Sequence, residues 1–226
     1  SFLCRGQHAA TLSRHQLAQL FSGELSWTDQ AVKDAFATFG EVLDNTHGGS
    51  TYVVNTNFGR GGNPLFDDPP GCLLHHQASF ITDFFANEAG ATPDQYDFFP
   101  FPAIDTSLPA AVTGGGDLMG MFNDTPEARS LIQYLLTPEA QSIWAERGGF
   151  ISANKNVSVD VYPDEATRQA AQILQDAEVF RFDGSDLLPA SVNDAFMAGM
   201  VQFSQDQSQL DSILSNLDQV TADSAN

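Results

Sequence analysis

The most informative part of this chain is residues 179–192, Val179-Phe-Arg-Phe-Asp-Gly-Ser-Asp-Leu-Leu-Pro-Ala-Ser-Val192. Within a few residues it combines two aromatic rings, a guanidinium group and carboxylates, just ahead of a predicted helix. Aromatic faces stack on the apolar C–H surfaces of sugars, and planar charged groups bind hydroxyls through paired hydrogen bonds. The stretch therefore predicts a turn that can contact a carbohydrate.

Three further segments point in the same direction. They are Pro70-Gly-Cys-Leu-Leu-His-His-Gln-Ala-Ser-Phe80, Thr113-Gly-Gly-Gly-Asp117 and Gly148-Gly-Phe-Ile-Ser-Ala-Asn-Lys155. Together with residues 179–192, they resemble segments of the α-glucoside-type solute-binding proteins of bacterial ATP-binding-cassette (ABC) sugar importers, in the same order. The resemblance is close over residues 70–220 and loose over 1–69. Members of that family are longer, so the resemblance implies that this chain corresponds to their C-terminal part.

The composition is that of a strongly acidic globular protein. The 226 residues are 42% hydrophobic and include 29 acidic against 9 basic side chains, which gives a formal net charge of −20. Because nucleic acids and anionic membranes are bound by clustered Lys and Arg, the charge excludes both as partners. No apolar run approaches the roughly 20 residues of a membrane span. The chain opens at Ser1 without a signal segment or an initiator Met, as expected of a mature protein or a fragment, so the absence of a signal says nothing about export.

Apolar periodicity and capping residues predict mostly helices. Apolar residues recur at helical spacing after Thr28 and Asp29, either of which can cap a helix. Two helices open with Thr-Pro-Glu, at Thr125 and Thr137. Further helices are predicted over 78–86, 163–177, 190–204 and 207–220, the last two packing as a pair, with short strands over 52–54, 72–76 and 97–102.

Few strands among many helices indicate an α/β fold. The resemblance implies a periplasmic-binding-protein-like (flytrap) fold of two lobes. It assigns residues 1–97 to the first part of the C-terminal lobe and 98–124 to a hinge strand and a segment returning to the N-terminal lobe. Residues 125–226 are then the helical remainder of the C-terminal lobe.

The residue pattern offers no catalytic or metal site. Carboxylates are so numerous that no glycosidase pair stands out, and no Gly-x-Ser-x-Gly motif occurs. His75 and His76 are adjacent, so they would point to opposite faces of a strand and lack metal-ligand spacing. The glycines at 114–116 lack the Lys and Ser/Thr of a phosphate loop. We therefore predict a protein that is not an enzyme and needs no metal or cofactor.

The predicted ligand-binding residues rest on the resemblance and lie in its four segments. For the glycines, which let a backbone approach a ligand closely, the alternative is a plain turn. For His76 and Gln77 the alternative is a core histidine followed by a helix cap. For Phe150 it is a buried core position, and for Arg181 and Asp183 it is a structural salt bridge. Trp144 is predicted to lie in the core. The predicted set is His76, Gln77, Gly114, Gly115, Gly116, Asp117, Phe150, Arg181 and Asp183.

The two cysteines, Cys4 and Cys72, are predicted to form a disulfide. The resemblance implies cysteines at both places, and exported proteins occupy an oxidising compartment in which such pairs usually bond. Two separate buried thiols are the alternative.

The function that the resemblance implies is capture of a sugar without catalysis. The ligand would be an α-glucoside oligosaccharide, delivered to the membrane permease subunits of an ABC importer after two lobes close on it. The resemblance also implies a monomer in the periplasm or outside the cell, with a lipoprotein anchor as one option. A carbohydrate-active enzyme fragment and a sugar-sensing ligand-binding module are the alternatives.

Overall fold

Helices dominate the secondary structure, in agreement with the predicted helix-rich α/β composition. The computed structural model describes residues 12–102, 107 and 111–224. Among these, no helix is both long enough and apolar enough to cross a membrane. The helices and strands, in chain order, are α1 (Arg14–Ser22), α2 (Gln30–Asp44), α3 (Gly49–Asn55), α4 (Ile81–Ala89), β1 (Val112–Gly114), α5 (Pro126–Leu135), α6 (Pro138–Arg147), α7 (Glu165–Asp176), β2 (Phe180–Phe182), α8 (Ala190–Gln205) and α9 (Leu210–Ser224).

The chain divides into two compact units. The first comprises Ser1–Gln77, Phe101–Gly115 and Val179–Asn226, and the second comprises Ala78–Pro100 and Gly116–Glu178. The first unit holds α1 to α3, both strands, α8 and α9, and the second holds α4 to α7. The assignment of residues 1–97, 98–124 and 125–226 to lobes stays a prediction.

The core of the first unit forms where α2 meets the α8–α9 pair. Phe203 of α8 packs edge-to-face on Phe36 with ring centroids 5.1 Å apart, and it stacks on Phe39 at 6.0 Å. Gly199 allows the close approach of α8 and α9, since a Cβ there would lie 2.7 Å from Cγ2 of Ile213. The predicted pairing of these two helices is confirmed.

Local capping explains where several helices begin. The Asp29 carboxylate accepts from the Ala31 amide at 2.9 Å and caps α2. The Thr125 and Thr137 hydroxyls each accept a hydrogen bond from a backbone amide at 3.2 Å. A proline stands in the first turn of α5 and of α6. These predicted caps are confirmed, because an N-cap bond reaches only two or three residues along the chain.

The three predicted short strands are wrong. Residues 52–54 lie within α3, and 72–76 and 97–102 have neither helix nor strand. Leu73 and Leu74 are 83% and 71% exposed, which is the opposite of a buried strand. A strand is stable only beside a partner, and the sheet of the described residues consists of β1 and β2. The helix predicted over 78–86 begins at Ile81 instead.

The core of the second unit is smaller. It contains Ala145 of α6, Ala171 of α7, and Val157 and Tyr162 from the segment between them. The Tyr162 hydroxyl accepts a hydrogen bond from the Ser152 amide at 2.8 Å, which satisfies a buried donor. Phe150 is partly buried and packs against this cluster.

Candidate ligand-binding site

The glycine segment and the arginine segment pair as parallel strands. The register joins Val112 to Phe180, Thr113 to Arg181 and Gly114 to Phe182. The Val112 amide donates to the Val179 carbonyl at 2.9 Å. Parallel strands end at the same edge of a sheet, and ligands of open α/β sheets bind at that carboxyl edge. The pairing therefore places two predicted binding segments side by side at such an edge.

Gly114 lies against the ring of Phe180. A Cβ at position 114 would lie 3.0 Å from Cε2 and 3.2 Å from Cζ of that ring. The ring is 46% exposed, so part of it remains open to solvent. This close approach explains why glycine occupies the last position of β1 and leaves an aromatic surface beside the backbone.

The backbone that follows β1 has an unused hydrogen-bond donor. Gly115 is exposed, and within the part of the chain that the structure describes no group accepts a hydrogen bond from its amide. Gly116 and Asp117 belong to the second unit, where both are exposed. A free amide at the end of a parallel strand is a ready donor to a ligand hydroxyl or ring oxygen.

Arg181 and Asp183 do not form the salt bridge that was the alternative to ligand contact. Asp183 is 6% exposed, and its carboxylate accepts from the Ser185 amide at 3.1 Å and the Ser185 hydroxyl at 2.8 Å. Within the described ranges the Arg181 guanidinium makes one long hydrogen bond, 3.4 Å to the Phe180 carbonyl. Most donors of Arg181 are thus available to a ligand, whereas Asp183 holds the turn together.

Asp186 is a carboxylate at the same edge that the sequence analysis missed. It lies in the 3₁₀ turn Gly184–Leu187, and its Oδ2 is 3.7 Å from the position that a Cβ of Gly115 would occupy. Its side chain is exposed. The sequence signal that could have found it is its place three residues after Asp183, one turn along the same loop.

His76 and Gln77 lie in an irregular segment before the first unit's chain crosses to the second. The His76 ring packs edge-to-face on Phe101 with centroids 5.0 Å apart. Burial, followed by the neighbouring His76, lowers the pKa of His75 from 6.5 to about 4. His75 is therefore neutral at physiological pH. Contact of His76 and Gln77 with a ligand stays a prediction.

Phe150 forms an aromatic stack in the second unit. Its ring lies 4.6 Å from that of Trp144, with the planes only 14° apart. Trp144 is 51% exposed, so the prediction that it lies in the core is wrong. Phe150 keeps a half-buried position, and its contact with a ligand stays a prediction.

An open cavity of about 450 Å³ lies in the second unit, between the turn Pro93–Gln95 and the start of α7. Asp94, Asp97 and Glu165 are among its lining residues, next to Tyr96. Burial, followed by Asp164 and Asp83, raises the pKa of Tyr96. The lining carries none of the predicted binding residues, so this groove is not the predicted site.

No group of three or more His, Cys, Asp or Glu side chains suited to a metal ion occurs in the described ranges. Cys72 is half-buried, and burial followed by Asp67 raises the pKa of its thiol. Cys4 lies outside the described residues, so its disulfide with Cys72 stays a prediction.

Two curated proteins are similar to this chain. An osmoprotective compounds-binding protein of Synechocystis sp. is 40% identical over 189 residues, which cover 82% of this chain and 44% of that protein. An alpha-glucosides-binding periplasmic protein of Rhizobium meliloti is 40% identical over 194 residues, covering 83% of this chain and 42% of that protein. The chain thus spans less than half the length of these relatives.

No family model and no solved structure matches the chain. Both relatives are named as binding proteins, which confirms the resemblance that the four segments predicted.

Proposed function

Because this chain matches part of a solute-binding protein, we propose that it supplies sugar-contacting surface to a protein that captures α-glucosides outside the cytoplasm. The captured sugar would pass to the membrane permease subunits of an ABC importer. The observation that carries the proposal is the parallel pairing of β1 with β2, which brings Gly114 and Gly115 beside the Phe180–Asp183 segment. The name of the Rhizobium meliloti relative supports the choice of α-glucosides.

The strand edge has the chemistry that a neutral sugar needs. The free amide of Gly115 and the open guanidinium of Arg181 donate hydrogen bonds, and the exposed face of Phe180 offers an apolar surface to pyranose C–H groups. A hydrogen bond from a charged group contributes roughly 1.5–3 kcal/mol, against about 1 kcal/mol for a neutral one. Arg181 is accordingly the largest single polar contributor that we assign.

The remaining predicted residues complete the proposed site. His76, Gln77, Gly116, Asp117 and Phe150 contact the ligand in a flytrap fold of two lobes, with residues 98–124 forming the hinge and crossover. Asp183 acts through the turn that it holds. Closure is driven by contacts that exist only when both lobes touch the ligand.

Capture in this proposal makes and breaks no bond. Both relatives are named for what they bind, which supports a protein without catalytic activity or cofactor. The protein acts as a monomer in the periplasm or outside the cell, and one relative is named as periplasmic. A lipoprotein anchor is compatible with this location.

The test is binding without turnover, measured on the protein at its full natural length. Isothermal calorimetry with trehalose, maltose and sucrose should show saturable binding of at least one of them, and the recovered sugar should be intact. Cleavage of a chromogenic α-glucoside would instead identify a carbohydrate-active enzyme. A fused transmembrane signalling segment in the coding sequence would identify a sensory module.

A further inference from the structure

We propose that Asp186 contacts the captured sugar directly and, together with the Gly115 amide, selects neutral polyhydroxyl ligands over phosphorylated ones. This inference rests on the proposed function and assigns the acceptor that the donors Gly115 and Arg181 lack. The carboxylate lies at the strand edge itself, 3.7 Å from the empty Cβ position of Gly115.

The turn that carries Asp186 is held in place by hydrogen bonds and packing of its neighbouring residues. Asp183 and Ser185 are each 6% exposed and are joined by two hydrogen bonds. The ring of Phe21 from α1 lies against Gly184 so closely that a Cβ there would be 2.6 Å from Cζ. The residues just before Asp186 are thus fixed, and a fixed turn presents its exposed side chain with little entropy left to lose on binding.

Within the part of the chain that the structure describes, no group is bonded to the Asp186 carboxylate. Among the described residues, its oxygens accept no hydrogen bond and join no ion pair, while the amide of the same residue donates to the Asp183 carbonyl at 3.2 Å. The Gly115 amide is equally unused. The free acceptor and the residue that carries the free donor are thus neighbours, since Asp186 Oδ2 lies 3.7 Å from the Cβ position of Gly115.

This pair of groups suits a sugar hydroxyl. A hydroxyl both donates and accepts, so it can donate to Asp186 Oδ2 and accept from the Gly115 amide at the same time. A phosphate oxygen cannot donate to the carboxylate, and its negative charge is repelled by it. Repulsion by Asp186 therefore disfavours a phosphate at this position and opposes the attraction that the Arg181 guanidinium on the neighbouring strand exerts on it.

The test replaces Asp186 by Asn in the protein at its full natural length. For the neutral α-glucoside that binds best, we expect the Kd to rise about ten- to a hundredfold, the range for losing a charge-assisted hydrogen bond. The ratio of the Kd for trehalose 6-phosphate to that for trehalose should fall in the same variant. The melting temperature without ligand should not change, because Asp186 is exposed and unbonded.

The matched control is Asp194→Asn on α8, which removes another exposed carboxylate from the same unit and should leave the binding of both sugars unaffected. A Kd within twofold of the unmodified protein in Asp186→Asn, with binding otherwise intact, would overturn the role of Asp186 and leave the proposed function standing. Absence of α-glucoside binding by the unmodified protein would overturn the proposed function and this inference together.

Discussion

The amide of Asp183 donates a hydrogen bond to the carbonyl of Gly114 at 3.0 Å. This bond extends the parallel ladder one residue beyond β2, at the point where both strands turn into loops. The exposed donor of Gly115 and the turn that carries Asp186 therefore start from one fixed point. Binding groups placed at the ends of paired strands are held more precisely than groups on free loops.

The buried carboxylate of Asp183 should stabilise the fold more than an exposed carboxylate that caps a 3₁₀ turn in the same way. Asp206 is the matched control, since it accepts from the Ser208 amide at 3.0 Å and hydroxyl at 2.7 Å at the start of another 3₁₀ turn. We expect Asp183→Ala to lower the free energy of unfolding by about 2–3 kcal/mol, because it strands buried donors. Asp206→Ala should lower the free energy of unfolding much less. Urea unfolding of both variants measures the difference, and equal losses would contradict the structural role of Asp183.

Helix packing predicts different outcomes for two helix glycines, Gly199 on α8 and Gly40 on α2. An Ala at position 199 would press on the buried Ile213 side chain. An Ala at position 40 would meet the side-chain amide of Gln207, which can move only by giving up its hydrogen bond to Asp44, a loss that the better helix propensity of Ala offsets. Gly199→Ala should therefore destabilise the protein by about 1–2 kcal/mol despite its better helix propensity. Gly40→Ala should be close to neutral. Thermal or urea unfolding measures the stability of both variants. A stabilising Gly199→Ala would show that α8 and α9 lie farther apart than the structure places them.

His75 should make stability fall on mild acidification. The pKa of His75 is about 4 in the fold, against 6.5 in the unfolded chain, because of burial and the neighbouring His76. Above pH 6.5 neither state binds the proton, so the effect is absent there. Between pH 6.5 and about 4 the unfolded chain binds it and the folded one does not, which lowers stability by at most about 1.4 kcal/mol per pH unit.

Urea unfolding at pH 7, 6, 5 and 4 measures this slope in the unmodified protein and in His75→Gln. The difference between the two slopes isolates His75, since all other groups titrate in both proteins. Identical slopes would mean that the imidazole is protonated as easily in the fold as outside it.

The disulfide between Cys4 and Cys72 is open to a direct chemical test. Peptide mapping of the non-reduced protein by mass spectrometry should recover one peptide pair that joins the two residues. The raised pKa of the Cys72 thiol keeps its thiolate fraction low, so alkylation must be done in denaturant to detect a free thiol reliably. Two fully alkylated cysteines in protein from an oxidising compartment would rule the disulfide out.

Local features of the fold were predictable from the sequence, and long-range ones were not. Asp29, Thr125 and Thr137 cap helices through bonds that span two or three residues, so a short window contains all the information. The bond between Gly114 and Asp183 joins distant segments, and composition cannot anticipate it. The resemblance singled out both segments, but their parallel register required the structure.

The errors also have physical reasons. Apolar content predicted a buried strand around Leu73 and Leu74, but no neighbouring strand in the described residues covers them. Trp144 was assigned to the core from its place in a predicted helix, which does not tell whether another element covers its side chain. Asp186 was overlooked because its only sequence signal, a place three residues after Asp183, does not stand out among 29 acidic residues.

The most direct test of the central claim, that the edge of the β1–β2 pair binds the sugar, is the affinity of Arg181→Ala in the protein at its full natural length. Calorimetry with the best-bound α-glucoside should show a loss of about 1.5–3 kcal/mol, while the melting temperature without ligand stays unchanged, because Arg181 joins no ion pair among the described residues. The control is Arg129→Ala on α5, which removes an exposed guanidinium that is paired with Asp124. This variant should leave the affinity unchanged. Unchanged affinity in Arg181→Ala together with a clearly lower melting temperature would contradict the account and make this strand edge a purely structural one.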